Sequence, residues 1–491
     1  MPALFTAIVQ AVHPVEVRGQ DFVDTVTNKR LMIVGVDYQP GGQAGYKPSE
    51  GKDVLSDADV CLRDAVLIQK LGVSQCVATT PQIAPSLLWR TFADNLKVNT
   101  IRVYNIDPEL DHSQCASIFN AAGIYMMLDV NSPLQGESIN RAEPWTSYNT
   151  DYLTRVFGIV ENFKNFPNTL GFFAANEVMN DLDTAKYNPQ YIRAVQRDLK
   201  NYIKKHVSRK IPVGYSAADV REILQDTWAY MQCDHNDDAS SSDFFGLNSY
   251  SWCGGDATLQ SSGYQDLANM FNQSAIPVFY SEYGCNKVQP RVFTEVPALY
   301  GTEMTALSGG LVYEYSQEEQ DYGLVQVNSN GSVTLRTDYD NLQGQYNKLD
   351  TGLLESTNPS STSIKAPACA SGLISAEQFS KNFTIPAVCP NCQSLIDNGI
   401  SNPKNGKLVD VSATKPKQQI YGSNGALIQG LSLNKIGNDG VNAPGQQSTT
   451  PSSASGSGGP AQPTESKKGA APKLAGGALA WIVVLVSALL V

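Results

Sequence analysis

The sequence predicts an α/β protein built as a (β/α)8, or TIM, barrel. Three observations carry that prediction. Eight short apolar runs follow one another between residues 31 and 315. Helix-like stretches separate most of them. Two of the runs end in a glutamate, where a run of apolar side chains should end in nothing charged unless the charge has a use.

The runs, in order, are "LMIVGVDYQ" (31–39), "NTIRVYN" (99–105), "IYMMLDV" (124–130), "LGFFAAN" (170–176), "IPVGYS" (211–216), "FFGLNSY" (244–250), "IPVFYSE" (276–282) and "GGLVYEY" (309–315). Each is continuously apolar rather than alternating, as strands buried on both faces are. Between them, "DYLTRVFGIVENFKNF" and "PQYIRAVQRDLKNYIKKH" place apolar residues at helical spacing. Strands alternating with helices imply a parallel sheet. Eight such units close into a barrel.

A barrel of this kind places its chemistry at the C-terminal ends of the strands. Glu177 closes the fourth run and Glu282 closes the seventh. Gln39, Arg102 with Tyr104, Asp129, Tyr250, and Tyr313 with Tyr315 close others. A purely structural role stays open for each Tyr and Arg, and a buried ion pair is the structural alternative for the glutamates. Two facing carboxyls suit cleavage of a glycosidic bond: one protonates the leaving oxygen and the other attacks the anomeric carbon. A separation of about 5–5.5 Å belongs to the retaining route. Asn176 is then placed to hydrogen-bond a sugar 2-hydroxyl, and Tyr250 to donate to the nucleophile. No HExxH, G-x-S-x-G, Walker or GxGxxG pattern is present. No metal and no cofactor are therefore expected. "GGQAGYKPSEG" reads as a loop.

The formal charge of −11 with four His excludes a basic nucleic-acid surface and fits a neutral partner such as a sugar. Nine Cys are scattered, and Cys389-Pro-Asn-Cys392 is a lone CxxC that reads as a disulfide or a loop, not a metal site. Sequons stand at Asn272, Asn330 and Asn382. Residues 441–473, rich in Ser, Gly and Pro, read as a disordered stalk. The apolar tail 474–491 reads as the signal for a glycosylphosphatidylinositol (GPI) anchor. Gly469 in "GAA" is the expected attachment residue, with "SGSGG" (455–459) as the other small-residue stretch. Residues 1–11 resemble a truncated leader.

"NTIRVYNIDPELDHSQC", "GFFAANEV", "IPVGYSAAD", "FFGLNSYSWCG", "SGYQDLANMF", "IPVFYSEYGCN" and "TEVPALYG" closely resemble the fungal β-1,3-glucanosyltransferases of glycoside hydrolase family 72. The likeness covers about residues 14 to 345. It implies an enzyme that cleaves β-1,3-glucan internally and passes the new reducing end to the non-reducing end of another glucan. By matching position it implies Glu177 as acid/base and Glu282 as nucleophile. Sugar contacts carry over to Gln39, Tyr104, Asp129, Asn176, Asp219, Arg221, Tyr250 and Tyr313, and to Asn131, Ser132 and Ser138 in the loop 131–139. It implies disulfides Cys61–Cys115, Cys253–Cys285 and Cys233–Cys369. The cysteine-rich module that some members carry is not expected here. An expected monomer would sit on the outer face of the plasma membrane and in the wall through its GPI anchor, with β-1,3-glucan as donor and acceptor. The competing functions are plain endo-β-1,3-glucan hydrolysis and non-catalytic glucan binding.

The resemblance has one interruption. The family runs from "LG" straight into "VNTIRVY", whereas here residues 73–97 intervene and bring Cys76 with them. Their ends can be encoded as intron borders, so they read as a retained intron. The expected organisation is a leader at 1–11, a catalytic barrel at 12–345 interrupted at 73–97, and a small Cys-containing appendage at 346–440. The stalk and the anchor signal follow.

Overall fold

A computed structural model describes residues 11–72, 98–235, 239–356 and 361–436. The leader up to residue 10, the interruption 73–97 with Cys76, the stalk, Gly469 and the tail lie outside the described residues.

The chain enters through an antiparallel hairpin, β1 (Val15–Arg18) and β2 (Asp21–Asp24). Eight parallel strands follow: β3 (Ile33–Tyr38), β4 (Thr100–Val103), β5 (Tyr125–Asp129), β6 (Thr169–Asn176), β7 (Val213–Ala218), β8 (Phe244–Ser249), β9 (Val278–Tyr283) and β10 (Gly309–Val312). They pair in sequence order, and β10 returns to β3, so the barrel is closed. All eight expected strands are present. Helices such as Ala58–Leu71, Thr150–Phe163 and Asn188–His206 form the outer ring.

The barrel interior is layered. Phe22 of the hairpin enters from below and packs with Phe244 and Phe279, each at 5.9 Å between ring centroids. Phe173 stands edge-on to Phe244 in the same layer. The Arg102 guanidinium lies 4.4 Å from the Phe173 ring centroid, and marks the change from apolar floor to polar mouth. Outward-facing partners such as Ile101, Val103, Phe172 and Leu247 belong to the other core, between strands and helices. Register shifts interrupt the ladder between Phe173 and Ala175 and between Leu247 and Asn248. Such irregularities re-aim side chains, and both occur just before the strand ends that carry Asn176 and Asn248.

Beyond the barrel, β11 (Val325–Val327) and β12 (Val333–Leu335) form a second hairpin. The expected appendage takes an extended form laid on the barrel. It starts at the Cys233–Cys369 disulfide and gives Ser375 and Ala376 to the Asp226 carboxylate. It then meets His206 through Ile396 O (2.9 Å), Ser117 through Val409 N (2.9 Å) and Gln69 through Asn434 O (2.7 Å). Those four partners sit on four different outer helices, taken in reverse chain order. On the way, β13 (Ile420–Tyr421) adds to β12 in parallel. Gly406 fits because a Cβ there would lie 2.0 Å from Asn162 O. Cys61–Cys115, Cys253–Cys285 and Cys389–Cys392 are also bonded.

Candidate active site

Arg102 is the hub of the barrel mouth. It points inward from β4 and is fully buried. Its Nε and Nη2 donate to the two oxygens of Asp129 on β5, at 2.8 and 3.1 Å. Nη2 also reaches Asn176 Oδ1 (3.0 Å), and Nη1 reaches Glu282 Oε1 (3.2 Å). A planar guanidinium can serve this many acceptors at once, which an ammonium cannot.

Glu282, at the end of β9, is held on both oxygens. Tyr104 Oη donates to Oε1 (2.8 Å) and Tyr250 Oη donates to Oε2 (2.6 Å). Burial pushes its carboxyl up; Arg102 opposes this, the nearby Glu177 charge adds to it, and the two tyrosine hydroxyls pull it back. Charge-assisted hydrogen bonds to the ionised form are the strong kind.

Glu177 immediately follows β6 with φ +47°, a left-handed backbone rare outside glycine. Its N–H donates to Ser216 O (2.8 Å), which fixes that turn. Asn248 Nδ2 donates to Glu177 Oε1 (2.9 Å) and to Asn176 Oδ1 (3.1 Å). Asn248 Oδ1 accepts from Ser281 Oγ at 2.7 Å. One asparagine on β8 thus joins the fourth barrel strand to the seventh.

Above Glu282, Tyr250, Tyr313 and Tyr322 stand edge to face, with centroids 5.3–6.1 Å apart. Gln39 Nε2 donates to Tyr313 Oη and to Glu314 Oε2, both at 3.2 Å. Burial, then the Glu318 charge, pushes the Glu314 carboxyl up to about 8. Burial lifts Glu318 to about 7.

The sequence of this chain is that of a known group. The pattern described as Glucanosyltransferase, glycoside hydrolase family 72, matches residues 4–79 and 90–350. The chain belongs to this family. A 1,3-beta-glucanosyltransferase gel2 of Aspergillus fumigatus is 52% identical over 454 residues, covering 91% of this chain and 89% of the relative. A probable 1,3-beta-glucanosyltransferase GAS3 of Saccharomyces cerevisiae is 42% identical, covering 82% and 76%. The solved structure of Saccharomyces cerevisiae Gas2p in complex with laminaritriose and laminaritetraose superimposes with a TM-score of 0.65 at 34% identity, covering 78% of each chain. The skipped residues 80–89 fall inside the interruption.

Against the family-based expectations, eight of the residues named from sequence come together at the mouth. They are Gln39, Tyr104, Asp129, Asn176, Glu177, Tyr250, Glu282 and Tyr313. Asp219 and Arg221 pair with each other at the end of β7, and Ser249 Oγ ties Asp219 to β8 (2.6 Å). The loop after β5 is different. Asn131 is spent on Ala174 O and Tyr152 Oη, and Ser132 Oγ bonds Glu137. Ser138 is half-buried in that loop. Tyr315 turns outward instead, giving its hydroxyl to Asp64 (2.7 Å). Sequence reasoning missed Asn248, Ser281, Tyr322 and Glu314, and named Arg102 only as a strand-end residue. The signal for Arg102 and Asn248 was present: Arg102 is the one charged residue of β4, and Asn248 interrupts the apolar start of β8.

Proposed function

We propose that this chain is a retaining β-1,3-glucanosyltransferase. The observation that carries the reading is the grip of Tyr104, Tyr250 and Arg102 on both oxygens of Glu282. Such a carboxylate is oriented and charged for attack, not merely buried. Glu282 attacks the anomeric carbon as Glu177 gives its proton to the departing glycosidic oxygen. The shorter glucan leaves with its new non-reducing end, and the remainder stays bonded to Glu282. Glu177, now ionised, takes the proton from a hydroxyl at the non-reducing end of an incoming glucan, whose oxygen displaces Glu282. Asn248 and Arg102 hold the two carboxyls in one network throughout. The crown of Tyr250, Tyr313 and Tyr322 offers sugar rings an apolar wall.

The names of the relatives and the laminari-oligosaccharides bound to Gas2p support β-1,3-glucan as donor and acceptor. Hydrolysis uses the same carboxyls with water as acceptor, so products decide between the two. A reduced laminari-oligosaccharide should yield products longer than the substrate; products that are only shorter would leave a hydrolase. Glu282→Gln should lower kcat by at least about 10³-fold, since the attacking oxygen is lost. Normal turnover in that variant would remove Glu282 from the role.

Placement at the outer face of the plasma membrane and in the wall, through an anchor near Gly469, rests on the apolar tail and the stalk before it. A phospholipase specific for GPI anchors should release the protein; peptides from residues 479–491 in the mature protein would count against the anchor. Asn272, Asn330 and Asn382 are exposed, as glycan acceptors must be. A monomer is the simplest form for a site completed by one chain.

A further inference from the structure

Among the described residues, only two aromatic side chains are exposed: Trp145 at 49% and Tyr187 at 51%. They touch each other, with ring centroids 5.7 Å apart and planes at 81°. Trp145 lies on the connection after β5, and Tyr187 on the connection after β6, ten residues past Glu177. Both connections leave the C-terminal ends of the strands, the face that carries the catalytic carboxyls. The wider distribution of apolar surface agrees. Of seven exposed large apolar side chains, Leu134 joins these two on the same connections, and Val288 and Val292 follow β9. Two exposed aromatic rings scattered at random would seldom meet, and exposed apolar patches mark binding surfaces.

The two connections that carry the pair are tied to each other. Asn188 Nδ2 donates to Arg141 O and to Thr184 O, both at 2.7 Å, and so ties the two connections together. Beneath, Tyr148 and Tyr191 meet edge to face. A rigid aromatic surface loses little conformational entropy on binding.

We propose that Trp145 and Tyr187 form a platform that binds β-1,3-glucan outside the catalytic mouth. The inference rests on the glucan-transferring reading of the site. A β-glucopyranose ring presents axial C–H bonds on both faces, and these pack against the electron-rich face of an indole or phenol. The two rings make a corner, not a flat row. A corner suits a chain that turns at each 1,3-linkage; the flat ribbon of a β-1,4-glucan would need coplanar rings. Arg141, Glu143 and Asp183 are exposed nearby on the same connections and can meet the hydroxyls. A polymeric substrate extends past any pocket that holds only the bond to be cut, so the protein gains by holding it elsewhere as well.

The test uses the full chain carrying Glu282→Gln, run through gels containing laminarin. Laminarin should retard it, and adding Trp145→Ala or Tyr187→Ala should weaken the apparent affinity about three- to tenfold. Trp145→Phe should recover part of the loss. A gel containing hydroxyethylcellulose should retard all forms alike. In the active enzyme, the same alanine variants should lower the ratio of kcat/KM for laminarin to that for a short reduced laminari-oligosaccharide by a similar factor. Unchanged retardation and an unchanged ratio overturn the platform, as would equal loss on hydroxyethylcellulose. A wild type that neither transfers nor cleaves, yet is retarded through Trp145, would sink the catalytic reading and leave the platform standing.

Discussion

Asp37 is a second buried acid that shares the surroundings of Arg102 with Glu282. It lies on β3, fully buried, and pairs in register with Arg102 on β4. Neither carboxyl oxygen has a hydrogen-bond partner among the described residues. Tyr104 is near enough to act on it, but that hydroxyl is given to Glu282. Around the single cation Arg102, three acids then compete: Asp37, Asp129 and Glu282. An unpaired buried carboxylate is far more costly than a neutral acid, and Asp129 and Glu282 already hold the available donors. Burial, reinforced by the Glu282 charge, accordingly pushes Asp37 well above the usual carboxylate range. Burial favours the neutral form of Asp37, and the donors around Arg102 are left to Asp129 and Glu282. Asparagine mimics that neutral state, so Asp37→Asn should keep kcat/KM within about threefold at acid pH and move the alkaline limb of the profile upward. The sign follows from the raised value: as pH rises through it, wild-type Asp37 gains a charge beside the nucleophile, and the variant does not. A loss on the scale of Glu282→Gln would mean that Asp37 works ionised. Glu177 and Glu282 were legible in the sequence because each ends an apolar run. Asp37 stood in "VGVDYQ" just as visibly, but only the closed barrel shows that its neighbours have no hydrogen bond to give.

The elements divide by how they are buried. All eight barrel strands were legible because burial on both faces makes them uniformly apolar. The hairpins β1–β2 and β11–β12, and the two-residue β13, were not, since strands of two to four residues leave no period to read. The connection after β10 was equally silent, and it contains a pair of acids. Glu314 is buried and Glu318 half-buried, and the Glu318 carboxyl packs against Gly42, whose φ of +59° suits glycine. Gln39 donates to the Glu314 carboxyl and Arg291 attracts its charge, while Glu318 and Glu282 repel it. Both acids are raised from an ordinary value near 4.5, to about 8 and about 7. A raised carboxyl favours the folded state while protonated, so its contribution is complete below about pH 4.5 and is lost as pH climbs through 7 and 8. Thermal unfolding should therefore give a lower Tm at pH 8 than at pH 5, and Glu314→Gln with Glu318→Gln should shrink that difference. An unchanged difference in the double variant would show that these acids do not set it.

At the scale of the whole molecule, the family pattern and the folding unit end at different places. The pattern stops at residue 350, yet the described chain continues as one compact unit with the barrel through residue 436. The alignment with the gel2 relative is longer too, at 454 residues. Composition could not reveal this stretch, because it reaches the barrel through isolated apolar residues, not periodic ones. Phe379, Ile396, Val411, Ile420, Leu433 and Ile436 are each at most 5% exposed. Burying one such side chain contributes about 1.5–3 kcal/mol, and the net stability of a folded domain is only about 5–15 kcal/mol. Removing all six would also bare their partners on the outer helices, and would break the Cys233–Cys369 bond that closes a separation of 136 residues. A chain ending at residue 350 should therefore be recovered unfolded or aggregated. One ending at residue 440 should melt cooperatively, because it keeps every contact described here. Within the longer chain, Cys369→Ser should lower stability by about 2–5 kcal/mol in denaturant titrations. That loss should stay short of the collapse caused by truncation, since Asp226, His206, Ser117 and Gln69 still hold the segment at four further points. If the chain ending at 350 melts like the longer one, the segment is a passenger and the barrel stands without it.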